Sequence, residues 1–177
     1  MGNGKKGDIG MTTYNSIADF NNALLNAKTL LPSVVIPLVN KAQKDLAGEI
    51  RARVSVTGET STGSTFSPYS DKHKKKKTKY GQTALGKKID KKNFYFTGKM
   101  WGSFGVIRSS IQGSRIVSAL GFLGQSGYTP TADLNTYHSE REIVLGNTPI
   151  AFPNKEEEQL FVSAIETAVF EALNKLL

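Results

Sequence analysis

The residues with the clearest chemical potential are lysines. Between Lys72 and Lys92 the chain carries ten lysines against one acid, Asp90, a local +9. The whole 177-residue chain is +8, so everything outside this stretch sums to −1. Charge so localised points to an anionic neighbour, nucleic acid or an acidic protein face, more than to general solubility. Lys72, Lys74, Lys75, Lys76, Lys77, Lys79, Lys87 and Lys88 are the candidate residues facing a partner or DNA. Tyr80 is the one aromatic within the stretch and no arginine is present, so base stacking and bidentate guanine readout are poorly served. Any DNA contact here runs through phosphates, without sequence preference.

Catalytic and metal-binding patterns are weaker. Gly81-Gln-Thr-Ala-Leu-Gly86-Lys87-Lys88 has the glycine spacing of a phosphate-binding loop, but it ends in lysine where a magnesium-binding serine or threonine is needed. No strand precedes it to aim its amides. His73 and His138 are the only histidines, and neither has a second metal-type ligand at helical spacing. His73 reads as solvated among the lysines and His138 as a polar surface residue. Gly124-Gln-Ser126-Gly127 lacks the spacing of a nucleophile elbow and reads as a turn. Cysteine is absent, which removes disulfides, thiolate zinc and a cysteine nucleophile. The expectation is a protein that is not an enzyme and uses no cofactor or metal.

The elements that must position the lysines are legible in outline. Residues 1–13 carry four glycines and read as a flexible arm. Ser16 caps a short amphipathic helix with Ile17, Phe20, Leu24, Ala27 and Leu31 on one face, closed by Pro32. A second helix follows over residues 35–54, with Pro37 in its first turn or at a kink. The apolar run 30–39 is too short to span a bilayer and is broken by both prolines, so no membrane partner is expected. The N-terminus lacks an apolar export segment, and the chain reads as a soluble intracellular product. Residues 57–92 form a long basic loop whose start is fixed by Phe66 and Tyr69 docking on the core.

Phe94 to Ser103 is the junction of the chain. Thr97 is the N-cap of a short helix with Gly98 in its first turn, and Met100, Trp101 and Phe104 bury together with Phe94 and Phe96. A β-hairpin follows, residues 106–111 and 114–123 around Gln112-Gly113, with both faces of the second strand covered. Residues 131–142 are weakly helical. Asn154 and Glu157 form a capping box for a C-terminal helix, whose apolar stripe should pack along residues 35–54. The predicted fold is therefore α+β: long N- and C-terminal helices packed on a small antiparallel sheet, with a long basic loop. Residues 1–31 stand apart as arm and short helix, and 32–177 form a single domain.

Taken in order, these motifs resemble the head-tail joining or tail-completion (neck) proteins of tailed bacteriophages, and more loosely the phage virion-morphogenesis proteins. The resemblance covers about residues 33–177. It rests on the amphipathic helix, the Phe66, Pro68, Tyr69, Ser70 group before a lysine-bearing stretch, Thr97-Gly98-x-Met100 with Ser103, the hairpin, and Asn135, Arg141 and Glu142 ahead of an acidic-capped C-terminal helix. It implies a non-catalytic virion subunit, assembled in the bacterial host cytoplasm as a homomeric ring around the DNA channel. Neighbouring portal, adaptor or tail proteins are the implied partners, with non-specific contact to packaged DNA. The competing readings are a basic, non-sequence-specific nucleic-acid-binding module and a virion assembly factor.

Overall fold

The computed structural model describes residues 16–79, 90–94, 99–112, 115–126 and 128–176, with the backbone alone for 76–79, 111 and 126. The Ser16 hydroxyl accepts the Asp19 amide at 3.0 Å and opens α1, which runs unbroken over Ile17–Ala52. The expected stop at Pro32 does not occur, since Pro32 and Pro37 both lie inside the helix. Each proline costs about 3 kcal/mol in a helix interior through its missing donor and its clash with the preceding turn. The apolar stripe Leu31, Val34, Val35, Leu38 and Val39 passes through both prolines and is covered by Ile165, Val169 and Ala172. Burying one such side chain is worth about 1.5–3 kcal/mol, so several together outweigh the breakers. That continuity also removes the proline ground for denying α1 a membrane role. By length and composition alone it is long and apolar enough to cross a bilayer, although its second half is occupied by packing.

α1 gives way to a π-turn, Arg53–Thr57, in which the amides of Gly58 and Glu59 both reach the Arg53 carbonyl. Gly58 ends it at φ 70°, and a Cβ there would lie 2.8 Å from Lys91 Cδ and 3.2 Å from the Lys92 carbonyl oxygen. Glycine is required on both counts. Within the stretch expected to be all loop, Asp71–Lys79 forms a helix, α2. The Ser70 carbonyl accepts the Lys74 amide at 2.9 Å, and Asp71 sits in the first turn, 3.7 Å from Lys74 Nζ. Lysine is a good helix former, and an acid suits the positive N-terminal end.

A one-turn helix, α3 (Lys99–Gly102), delivers Met100 and Trp101 to the core. The hairpin follows as β1 (Phe104–Gln112) and β2 (Arg115–Phe122), antiparallel from Phe104 opposite Phe122 to Gln112 opposite Arg115, with a bulge at Ile107. The bulged Ile107 side chain crosses β2 at Gly121, where a Cβ would lie 2.2 Å from it. The expected covering of both β2 faces is not found: Phe122 alone is buried along the strand, because among the described residues this sheet has two strands. A two-residue ladder, β3 (Gln125–Ser126) with β4 (Thr129–Pro130), leads into α4 (Thr131–Val144). The capping box is present: Asn154 Oδ1 accepts the Glu157 amide at 2.7 Å, and the Glu157 carboxylate accepts the Asn154 amide at 2.8 Å. α5 (Lys155–Leu176) then runs back along α1, from Glu157 near Arg53 to Ala172 near Val35.

The architecture is thus α+β, two long antiparallel helices with a two-stranded antiparallel sheet against α1. The core gathers Ala47, Ile50, Val54, Phe66, Phe94, Met100, Trp101, Phe104, Phe122 and Ile150. Trp101, expected as the anchor, is 1% exposed; it meets the rings of Phe104 and Phe122 at 5.7 Å and donates from Nε1 to the Asn93 carbonyl at 3.3 Å.

Candidate functional site

α2 carries six lysines and one aspartate, a local +5, and is fastened at its base. Tyr69, just ahead of the helix, stacks on His73 with ring centroids 4.5 Å apart and planes 12° from parallel. The Tyr69 hydroxyl accepts the Asn93 amide and donates to Asn93 Oδ1, both at 3.3 Å. Asn93 is buried, and its Nδ2 donates to the Ser55 carbonyl at 3.1 Å. The next residue, Phe94, holds φ 50°, a strained value for a bulky side chain, and packs edge-on against Phe66 at 5.0 Å and His138 at 5.4 Å. The Asn93-Phe94 pair therefore ties the base of the lysine helix to the core and to α4.

Between the base of α2 and α4 lies an open cleft of ≈ 570 Å³ lined by Tyr69, His73, Lys92, Phe94, Tyr137, His138 and Arg141, among others. The two histidines, 65 positions apart in the chain, meet in it. His73, expected to be solvated, stacks on Tyr69 and is partly covered, and His138, expected as a polar surface residue, is half-buried against Phe94 and Tyr137. Burial, with the Arg141 guanidinium beside it, holds the His138 imidazole below its usual pKa, so the ring is biased toward the neutral form.

Much of the cleft's charge is satisfied internally. Lys92 Nζ lies 2.6 Å from Glu142 Oε1, and the other Glu142 oxygen accepts Asn147 Nδ2 at 2.8 Å. Arg141 Nη1 donates to the Tyr137 hydroxyl at 2.9 Å, with the guanidinium 5.5 Å from that ring's centre. Among the described residues no group of three or more His, Asp or Glu is placed to hold a metal ion. Of the α2 lysines whose side chains are described, Lys72 and Lys75 are exposed and Lys74 is partly covered. Chemically, Lys72 and Lys75 are exposed cations on a fastened helix, suited to meeting an anionic surface.

The sequence candidates divide accordingly. Phe66 and Tyr69 dock on the core side of the stretch, and Met100 and Trp101 lie in the core. Lys72, Lys74 and Lys75 lie on α2; for Lys76, Lys77 and Lys79 the helical backbone is described. Lys87, Lys88, Thr97 and Gly98 lie outside the described residues, as do the phosphate-loop look-alike, the 1–13 arm, Phe96 and the hairpin residue Gly113. Sequence reasoning missed Arg53, whose Nε lies 2.7 Å and Nη2 3.1 Å from the Glu157 carboxylate, while its nitrogens also donate to the carbonyls of Glu59 and Phe152. A signal existed: Arg53 falls three residues after Ile50 and directly before Val54, where the buried stripe of α1 runs on into the π-turn, and a cation there demands a buried acceptor. No family model, curated protein or solved structure matches the chain.

Proposed function

We propose that the protein is a structural subunit of a tailed-phage particle, a homomeric ring at the neck that joins the portal side of the head to the tail around the DNA channel. The observation that carries self-assembly is the first half of α1. Ahead of Leu31 most of the large aliphatic side chains of α1 are open to solvent, Ile17 80%, Leu24 41%, Leu25 63% and Leu30 49% exposed, while Ala27 among them is buried. Residues 17–30 extend α1 by about 20 Å at 1.5 Å per residue, and an exposed apolar surface of that length favours a partner. A chain that offers an element on one surface and accepts it on another associates head to tail, and such a contact closes as a ring where the rotation between neighbours divides a full turn. The order of sequence motifs supports a place at the neck, and the exposed lysines of α2 would lie against channel DNA or an acidic face of an adjacent ring. In this reading the protein resides in the virion, after assembly in the host cytoplasm, with portal, adaptor or tail proteins as neighbours.

A second reading, a monomeric or dimeric nucleic-acid-binding module, draws on one specific observation. Tyr69, Tyr137 and Arg141 line the cleft at the base of the lysine helix, which provides the stacking groups and arginine that residues 72–92 lack. Electron microscopy of lysates from a phage with this gene disrupted separates the two. The neck reading predicts filled heads and separate tails. Normally joined, infectious particles would refute it, and monomeric, salt-sensitive binding to duplex DNA would then favour the module.

A further inference from the structure

We infer that the projecting first half of α1 docks into the groove between α1 and α5 of the next copy of this chain, an inference that rests on the ring reading above. One wall of the groove carries Leu38, Ala42 and Asp45, and the other Leu160, Ala164 and Ala168. Adjoining openings of ≈ 420 and ≈ 150 Å³ lie along it. Leu160, which lines both openings, is 65% exposed. The small alanines let another helix approach closely, as ridge-into-groove packing requires.

Three features fit this occupant to this groove. α1 is continuous, so its first half cannot fold back over its second, and the segment can reach such a groove only on another copy. The lengths agree: residues 17–30 span about 20 Å, and the wall from Leu38 to Glu49 runs about 17 Å along α1. The charges agree in sign. Lys28 flanks the incoming stripe, four residues after Leu24 and three before Leu31, while Asp45, Glu49 and Glu171 set against Lys41 make the rim net negative. The mode is an amphipathic helix laid apolar face down in a groove with an acidic rim. Projecting helix and groove occupy different surfaces, so the contact is heterologous and propagates from subunit to subunit.

The test uses the full chain carrying a benzophenone side chain in place of Leu24, irradiated as a mixture of isotope-labelled and unlabelled protein and mapped by mass spectrometry. The expected adducts join different copies and fall within residues 38–49 or 157–171. An oligomer whose adducts fall elsewhere overturns the groove and leaves the ring reading standing. A monomer without adducts between copies overturns both, and adducts to phosphatidylglycerol vesicles in place of the groove identify a membrane as the true occupant. As an independent variant, Ala164→Trp fills the groove at an exposed position; it should weaken self-association by about tenfold or more without lowering the melting temperature. Lys28→Glu should weaken it by about fivefold. Unchanged association in the Ala164→Trp variant overturns the docking.

Discussion

Replacing Glu157 by glutamine should be among the most damaging isosteric changes in this protein. The Glu157 carboxylate is 6% exposed and accepts from Arg53 Nε at 2.7 Å, Arg53 Nη2 at 3.1 Å and the Asn154 amide at 2.8 Å. Arg53 is itself 8% exposed and also grips the Glu59 and Phe152 carbonyls, so one guanidinium joins the end of α1, the turn after it, the segment before α5 and α5 itself. Glutamine can keep the capping contact, but it leaves a buried cation without a counter-charge, which costs about 3–5 kcal/mol. For a chain of this size that is a fall of about 6–20 °C in melting temperature. Asn154→Ala removes the cap alone and should cost about 1 kcal/mol, so the difference between the variants isolates the ion pair. Circular-dichroism melts at equal protein concentration make the measurement. If Glu157→Gln melts no lower than Asn154→Ala, the ion pair does not hold these elements together and the reasoning fails.

Trp101→Ala should lose about 3–5 kcal/mol by opening a cavity among Phe104, Phe122 and the Asn93 carbonyl, and urea denaturation yielding less than about 1 kcal/mol would contradict the core assignment. His138 is held below its usual pKa of 6.5 by burial and by Arg141, with Glu142, His73 and Lys92 also nearby. The unfolded chain therefore takes up its proton first, so stability is full above about pH 6.5, declines as pH falls toward the lower native value and then levels off. Melts of wild type and His138→Gln from about pH 8 to about pH 5 should show a shallower slope for the variant, and equal slopes would remove His138 from the account. Exchanging exposed Lys72 and Lys75 together for serine should leave the melting temperature within about 2 °C. If α2 contacts phosphates, the same pair should lower the logarithmic salt slope of duplex-DNA binding by about two; an unchanged slope excludes both lysines from the contact.

α5 could be read from sequence because its determinants are local: Asn154 and Glu157 are three residues apart, and the stripe repeats at helical spacing. The hairpin was readable for the same reason, through alternation on either side of Gln112-Gly113. α1 was misdivided because the prolines are local signals, whereas the burial that overrides them comes from residues more than a hundred positions away. α2 looked like a solvated loop because lysines give no apolar period; its base is set by Tyr69, His73 and Asn93, which no spacing rule connects. The cleft joins three separate segments, so His138 looked like a surface residue until Phe94 was placed against it. Arg53 and Glu157 are 104 residues apart, and only the fold brings them together.

The central claim, a chain built to close on itself as a ring, is tested most directly by native mass spectrometry of the purified full-length protein, with negative-stain images of the same sample. The account predicts one dominant closed oligomer, with the same subunit number on dilution over about tenfold in concentration and an annular projection. A monomer, or an open ladder of sizes that lengthens with concentration, would contradict it.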